Sequence, residues 1–308
     1  MKKFVNKISF IIATKDRPTE LLRLLESLQG QTYHPDTIII VDASNKTSES
    51  LITRDSDLNI HYVKSSISSA AKQRNTGIGM VAAETTLVGF LDDDVVLEPV
   101  ALEIMMEFWE YADKRVAGAA FNMANPPAMY FSSLKFMPLT KRLGLYSDGK
   151  GKVLPNGFHT MIGHVFRDTQ VQWLFSGATV WRCNIFNEFQ FDEWFSGYSY
   201  LEDLDFSYRV AKRYILAVVA DAKCYHHLVP GGRGNNYEFG KKEAVNRIYF
   251  VMKNPELSLF KCYLALFIRM LISLSLGICK LKITFLQRSG GNLVGLWEGI
   301  FHKKELSL

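Results

Sequence analysis

Short apolar runs alternate with helix-period runs along the first third of the chain. The β-rich apolar runs predict four strands, at residues 8–14, 36–44, 59–65 and 85–94. The run 36–44 is apolar without alternation, which is typical of a parallel strand that is covered on both faces. The intervening runs place apolar residues at helical spacing and predict helices at 18–31, 69–82 and 99–114. Pro18 suits a first helical turn and Gly30 suits a helix end.

This order predicts an α/β fold with a mostly parallel sheet, right-handed crossovers and flanking helices. Ligands bind such sheets beyond the carboxyl ends of the strands. Polar residues follow three of the predicted strands at that edge, namely Thr14–Asp16, Asp42 and Asp92–Asp94. We therefore expect these residues to share one rim of the sheet.

The second half of the chain is less regular. Residues 115–175 contain Gly, Pro and aromatic residues without a clear period, and we expect loops and short strands that shape a second lobe. Further on, the pattern predicts a strand-turn-helix unit at 173–189 and a helix at 202–213 that begins near Glu202. It then predicts a strand pair at 214–227 and a helix at 238–254.

Three adjacent aspartates end the fourth predicted strand. The strand period turns Asp92 and Asp94 to one side and Asp93 to the other. Two converging carboxylates repel each other, and a bound Mg²⁺ or Mn²⁺ would relieve that repulsion. The alternative is a solvated turn in which one aspartate caps the next helix, and the run alone does not decide between the two.

Two further stretches carry candidate chemistry. Glu202, Asp203 and Asp205 stand at a helix start, where acidic residues favour the macrodipole even without a function. A general base is the other interpretation, since aromatic residues surround the stretch at Trp194, Phe195, Tyr198 and Tyr200. His226 and His227 precede a Gly-rich turn with Arg233, which could contact a phosphate or be plain surface. No P-loop and no G-x-G-x-x-G motif follows a strand.

Six blocks, taken in order, resemble the family 2 glycosyltransferases. They read "FIIATKDRPTELLRLLESLQGQT", "IIIVDAS", "AAKQRNTGI", "FLDDDV", "FSGATVWR" and "YLEDLDFSYR". The resemblance covers residues 8–227 and implies the GT-A fold, a nucleotide-sugar donor, inverting transfer and a divalent cation. The Q-x-x-R-W block of the processive subgroup does not follow, which favours addition of one sugar per encounter.

The resemblance also implies roles for individual residues. It assigns nucleotide-sugar binding to Thr14, Arg17, Asp42, Arg74, Asp92 and Asp93. It assigns the general base to Asp203 and the metal to Asp94 and His226, with His227 as a substitute. It assigns a pocket for the acceptor or the donor sugar to Ser176, Gly177, Trp194 and Glu202. Two positions depart from the family pattern: Asp16 stands where Asn is usual, and Ala43-Ser44 follows Asp42.

Charge divides the chain unevenly. The whole chain of 308 residues carries +5, while residues 240–308 alone carry +7 and the rest carries −2. The first part therefore gives no reason to expect nucleic acid as a partner. The four cysteines form no C-x-x-C pair and match no zinc spacing, so we expect reduced thiols in a cytoplasmic protein.

The basic tail is also strongly apolar. Residues 257–279 are long enough for a transmembrane helix, but Lys261 and Arg269 lie inside the run. An amphipathic segment on the inner membrane surface is the favoured interpretation, ahead of a helix packed on the catalytic domain, an oligomer contact or a true span. We expect a catalytic domain at 1–240, divided at residue 114 into nucleotide-sugar-binding and acceptor-binding halves, and a helical tail at 241–308.

These expectations combine into one favoured hypothesis. It is a metal-dependent, inverting glycosyltransferase that moves a sugar from a nucleoside diphosphate, with UDP favoured, to a glycan or lipid-linked acceptor in surface polysaccharide or glycolipid assembly. The enzyme would lie on the cytoplasmic face of the membrane, and a homo-oligomer stays open. The alternatives are a nucleotidyltransferase on a similar sheet, although "TKDRPTE" lacks the glycines of its usual loop, and a non-catalytic sugar-binding protein.

Overall fold

The structure is a computed structural model, and its residues cluster into two compact units. It describes residues 4–47, 49, 57–126, 141, 147–197, 199–227 and 235–301. The first unit contains the described residues up to 126 and those from 162 to 227, and the second contains the others. Residues 147–161, which we assigned to the acceptor-binding half, thus cluster with the C-terminal helices.

The predicted strand-helix alternation builds the first part of the sheet. Its strands are β1 (Ile8–Thr14), β2 (Thr37–Asp42), β3 (Ile60–Lys64) and β4 (Leu87–Asp92). The helices beside them are α1 (Pro18–Gln29), α2 (Ala70–Ile78) and α3 (Ala101–Tyr111). The four strands pair in parallel, as the order predicted. Pro18 begins α1 and Gly30 caps it, whereas α2 ends at Ile78, four residues before its predicted end.

Five further strands complete a nine-stranded sheet of the described residues. They are β5 (Val95–Leu97), β6 (Val116–Met123), β7 (Thr169–Val171), β8 (Ala178–Arg182) and β9 (Ile215–His226). The order is β3-β2-β1-β4-β8-β6-β9-β5, and β7 pairs with β9. Strand β8 lies antiparallel to both β4 and β6, and β5 and β7 lie antiparallel to β9. The parallel part of the sheet thus continues into a mixed part.

Two predicted elements of the second half take a different form. The expected strand pair at 214–227 is instead the single strand β9. Its pairing with β6 shifts register between Phe121 and Asn122, and this bulge accommodates the polar residues in the middle of β9. Asn122 holds this bulge by donating to the carbonyl of Ala220. The expected helix after β8 is a five-residue 3₁₀ helix, Cys183–Asn187. The predicted helix at Glu202 is confirmed as α4 (Glu202–Ala211).

The sheet is covered on both faces. Phe10, Ile12 and Ile40 point into one core layer with the leucines of α1, while Ile11 and Ile39 point into the other layer. Successive strand residues therefore alternate between two apolar environments. This is why the strands read as continuous apolar runs in the sequence.

The second unit is helical where it is described. It contains α5 (Asn236–Lys253), α6 (Leu259–Cys279) and α7 (Ile283–Phe301). The side chains of Asn235 and Ser258 cap α5 and α6 by accepting backbone N–H groups. By length and composition alone, α6 is the one helix among the described residues that could cross a membrane, which is weak evidence by itself.

Candidate active site

The carboxyl ends of the parallel strands bring the predicted polar rim together. Thr14 pairs with Asp42 across β1 and β2, and Ala13 pairs with Asp92 across β1 and β4. Thr14, Asp42 and Asp92 are the last residues of their strands. The register therefore aligns all three at one edge, where ligands bind in such sheets.

Asp92, Asp94 and His226 form a cluster that could hold a metal ion. One ligand atom from each lies within 4.8 Å of the others. The antiparallel pairing of β5 with β9 sets His226 beside the aspartates, and the backbone N–H of His227 donates to the carbonyl of Asp94 at 2.8 Å. Two carboxylates and an imidazole fit a divalent transition metal, and the oxygens alone would fit Mg²⁺. Asp92, assigned to the nucleotide by resemblance, thus joins the candidate metal donors.

Asp94 is held as an anion by its neighbours. Its Oδ1 lies 2.9 Å from His226 Nε2 and its Oδ2 accepts from Arg17 Nη1 at 3.1 Å. Burial acts to raise the pKa of Asp94, but the hydrogen bonds and charges of His226 and Arg17 outweigh it, and the pKa falls below its ordinary value. The carboxylate is therefore available as a ligand at neutral pH.

Asp93 contacts the first loop at two residues, one of which, Arg17, also contacts Asp94. Its carboxylate accepts from Thr14 Oγ1 at 2.7 Å and from Arg17 Nη1 at 3.0 Å. Burial raises the pKa of Asp93 to about 6, against the opposing effect of these donors. As expected, Asp92 and Asp94 join the candidate metal cluster and Asp93 does not. Asp93 and Asp94 nevertheless share Arg17 Nη1 as a donor, so the two side chains do not face opposite sides as the strand period predicted. The reason is that β4 ends at Asp92 and a turn orients the next two side chains.

Arg74 connects the strand end to the start of α4. Its Nη2 donates to Asp92 Oδ1 at 2.9 Å and its Nη1 donates to Glu202 Oε1 at 2.8 Å. The guanidinium is buried and lies over the ring of Phe191. One planar group thereby fixes the distance between the candidate metal cluster and the helix that carries Asp203.

Asp203 lies in the first turn of α4, next to this ion-pair network. Burial raises its pKa to about 6, and the charge of Asp92 adds to the effect while Arg74 opposes it. Burial and the charge of Asp203 raise the pKa of Glu202 to about 8. Leu201, just before the helix, has a φ of 80°, an uncommon conformation for a non-glycine residue that shapes this turn. A carboxylate with a pKa near neutrality suits a general base.

Asp42 is fully buried at the end of β2. It accepts hydrogen bonds from the backbone and hydroxyl of Ser44 and from the hydroxyl of Tyr62. Nearby, Gln73 donates to the carbonyls of Thr14 and Val41 and so ties β1 to β2 at the rim. Sequence reasoning missed Ser44, Tyr62 and Gln73 as parts of this site. The "KQRN" block was the available signal for Gln73.

Gly177 lies directly against Asp92. Its carbonyl accepts from the backbone N–H of Asp92 at 2.8 Å, and a Cβ at this position would overlap the Asp92 carboxylate and the ring of Phe175. Ser176 is fully buried, and its hydroxyl has no hydrogen-bond partner among the described residues. Trp194 packs edge-on against Phe195, and its place in a sugar pocket stays a prediction.

Two parts of the predicted site lie outside the described residues. They are Tyr198 and most of the Gly-rich turn that contains Arg233. The structure thus brings together Thr14, Arg17, Asp93 and the Asp92–Asp94–His226 cluster, with Arg74, Glu202 and Asp203 beside it.

Comparisons with solved structures agree with this fold. The chain aligns with the crystal structure of S. aureus TarS at 16% identity and a TM-score of 0.51, covering 80% of this chain but only 42% of that one. It aligns with TarS 1–349 in complex with UDP-GlcNAc at 14% identity and a TM-score of 0.54, covering 97% of this chain and 92% of that one. The mannosyltransferase PcManGT from Pyrobaculum calidifontis, in complex with GDP-Man and Mn²⁺, aligns at 13% identity and a TM-score of 0.56, covering 98% and 91%.

Comparisons of sequence identify the family. No curated protein gives a significant match. Residues 9–166 match the profile described as "Glycosyl transferase family 2", which includes the strand ends and all three aspartates but neither α4 nor His226. The match covers just over half of the chain. The chain therefore belongs to glycosyl transferase family 2.

Proposed function

We propose that the protein is an inverting glycosyltransferase that moves one sugar from a nucleoside-diphosphate sugar to a hydroxyl group of a glycan or a lipid-linked acceptor. The arrangement around Arg74 carries the proposal. This residue links Asp92, in the candidate metal cluster, to the start of the helix that bears Asp203. The proposal is supported by a candidate metal cluster and a carboxylate of near-neutral pKa that one arginine connects at the edge of a family 2 sheet.

The donor class follows from the family and from the structural neighbours. TarS 1–349 is described in complexes with UDP and UDP-GlcNAc, and PcManGT in a complex with GDP-Man. These complexes support a nucleoside-diphosphate sugar as the donor and leave its base open between uracil and guanine. In our proposal Asp42 and Thr14 line the nucleotide end of the rim, because they end the strands on that side.

The chain's own residues account for a single displacement. Asp203 accepts the proton of the acceptor hydroxyl while that oxygen attacks the anomeric carbon and the bond from this carbon to the diphosphate breaks. Asp92, Asp94 and His226 would hold a divalent cation, which neutralises charge on the departing diphosphate. Arg74 holds the helix that bears Asp203 at a fixed distance from the metal cluster. One displacement inverts the anomeric configuration, whereas retention by two displacements would need a placed nucleophile.

Product analysis tests this function. The purified chain is incubated with a panel of nucleotide-sugars and Mn²⁺ or Mg²⁺, and the released nucleotide is separated from pyrophosphate. We expect slow release of free nucleoside diphosphate from one donor, and none after chelation of the metal. Release of pyrophosphate from a sugar phosphate and a nucleoside triphosphate would instead identify a nucleotidyltransferase. Nucleotide-sugar binding without turnover, even with candidate acceptors present, would favour a non-catalytic binding protein.

The cellular setting is also part of the proposal. We infer an enzyme of the cytoplasmic face of the membrane that acts in surface polysaccharide or glycolipid assembly. The basic, apolar C-terminal segment supports this placement, since it carries +7 over residues 240–308.

A further inference from the structure

The C-terminal helices present their large apolar side chains to solvent. On α6 the exposed positions are Phe260, Phe267, Leu271, Leu274 and Ile278. These positions are separated by seven, four, three and four residues, so they form one stripe along the helix. The exposed fraction reaches 78% at Phe260 and 60% at Ile278.

The neighbouring helix repeats the pattern. On α7 the exposed apolar positions are Ile283, Leu286, Leu293, Trp297, Ile300 and Phe301. Each side chain is between 39% and 68% exposed. Single exposed hydrophobic residues are normal on soluble proteins, but two continuous stripes on adjacent helices indicate an interaction surface. We call these two stripes the outer face of the hairpin.

The buried side of the same helices combines small and polar residues with three large apolar ones, Leu266, Met270 and Leu296. Gly291, Gly295 and Gly299 are spaced four apart on α7, and a Cβ at any of them would overlap α5. Ser273 of α6 and Asn292 of α7 are also buried. More of the large apolar side chains of these two helices are therefore exposed than buried, as in helices that contact a lipid surface.

Arg269 does not interrupt the outer face. The sequence places it inside the apolar run of α6, but its Nε lies 2.6 Å from the carboxylate of Glu243, on the buried side. Every exposed residue of α6 from Phe260 to Cys279 is uncharged. The cost that a central arginine would impose on lipid contact is therefore removed by its inward ion pair.

Basic residues flank the outer face at one end. Lys280 and Lys282 are exposed in the turn between the two helices. Lysines at the edge of an apolar surface are suited to the phosphate groups of anionic lipids. The other side of α7 packs on α5, whose Lys241 pairs with Glu298 at 2.7 Å, so lipid can cover this hairpin from one side only.

We propose that the outer face of the hairpin docks on an anionic lipid bilayer and buries its apolar stripes in the interface without crossing the membrane. The charge of the turn selects this occupant, because an apolar contact between two copies would gain nothing from two adjacent lysines. Docking does not depend on sugar transfer. If the proposed transferase function holds, docking would keep the enzyme at the membrane that contains a lipid-linked acceptor.

Vesicle sedimentation of the full chain tests the docking. Vesicles of phosphatidylcholine with and without phosphatidylglycerol are compared, using wild-type protein and the variant Phe267→Gln/Trp297→Gln. We expect the wild type to sediment with the anionic vesicles and the variant's partition coefficient to fall about tenfold or more. Phe166→Gln is the matched control, since Phe166 is 90% exposed but lies in the first unit.

A second variant in the vesicle experiment tests the role of Lys280 and Lys282. Lys280→Gln/Lys282→Gln is expected to lower binding to anionic vesicles about thirtyfold at low salt and to leave the weak binding to phosphatidylcholine unchanged. Because all five substituted side chains are exposed, unchanged circular dichroism and melting temperature are expected for every variant. Wild-type protein that stays in the supernatant, or apolar variants that bind as well as Phe166→Gln, would overturn the proposal. So would a dimer in solution that Phe267→Gln/Trp297→Gln separates while no vesicle is bound.

Discussion

Glu243 joins the three C-terminal helices through its charge. It is fully buried on α5, and its carboxylate lies 2.6 Å from Arg269 Nε of α6 and 3.0 Å from Arg288 Nη2 of α7. Burial acts to raise the pKa of Glu243, but the charges of Arg269, Arg288 and Arg247 outweigh it and lower the pKa. Burial and the charges of Arg247 and Arg269 lower the pKa of His159 to about 3, so it stays neutral.

The substitution Glu243→Gln keeps the shape of the side chain and removes its charge. Removal of one partner from a buried ion pair costs about 3–5 kcal/mol. Arg269 and Arg288 retain 22–23% exposure, so water screens part of the charge left behind. We therefore expect the lower end of the range, a loss of about 3 kcal/mol in the free energy of unfolding of the helical unit.

Hydrogen exchange of the backbone amides in α6 and α7 measures this loss where it occurs. A change of about 3 kcal/mol corresponds to about 150-fold faster exchange through opening of the unit. Glu298→Gln is the control, because its pair with Lys241 at 2.7 Å is about one-third exposed and is worth at most about 1 kcal/mol. If the amides of Glu243→Gln and Glu298→Gln exchanged at the same rate, the buried ion pairs of Glu243 would not stabilise the three helices as we infer.

The pH dependence of this stabilisation has a defined sign. Because folding lowers the pKa of Glu243, its contribution is complete above the ordinary pKa of glutamate and is lost as the pH falls through the lower folded value. The wild type and Glu243→Gln should therefore differ at neutral pH and converge in acid. A difference that persists unchanged into strong acid would point to lost packing rather than lost charge.

Three further predictions concern the active site. Gly177→Ala should weaken Mn²⁺-dependent nucleotide binding at least about tenfold in calorimetry, because its Cβ displaces the Asp92 carboxylate; unchanged affinity would contradict this steric argument. Arg74→Lys should lower kcat about 100-fold and raise KM by a smaller factor, because an ammonium group cannot bridge Asp92 and Glu202 as the planar guanidinium does. Full activity of this variant would exclude the positioning role of Arg74. With metal saturating, the cation offsets the Asp92 charge that helps to raise the pKa of Asp203, so kcat/KM should fall with decreasing pH at a pH below about 6, as Asp203 becomes protonated. A flat acid profile would contradict its assignment as the base.

Much of the fold could be predicted because its signals are local. Continuous apolar runs identified strands buried on both faces, and Pro18 and Gly30 marked the ends of α1. The alternation of strands with helices then predicted Asp42 and Asp92 at one edge of the sheet, and the register of the paired strands confirms this position. Local propensity and chain connectivity agree in this part of the molecule, which is why the sequence alone was sufficient.

The remainder depends on contacts between distant residues. The single strand β9 arises from its bulged pairing with β6, which no local pattern within 214–227 records. The bridge from Arg74 to Glu202 spans more than a hundred residues of sequence, and the link from Glu243 to Arg288 spans three helices. In the sequence, the charge of Arg269 therefore disfavoured lipid contact by α6. Only the structure shows that its side chain points inward to Glu243.

The most direct test of the account is the activity of Asp203→Asn with an identified donor and acceptor. Asparagine keeps the size of the side chain but cannot accept the proton of the acceptor hydroxyl. Single-turnover measurement with saturating donor and metal should show transfer reduced about 1,000-fold, within the range expected for loss of a general base, while calorimetry shows nucleotide affinity within about threefold of the wild type. Near-wild-type transfer by Asp203→Asn would contradict the claim that this carboxylate is the base of the reaction.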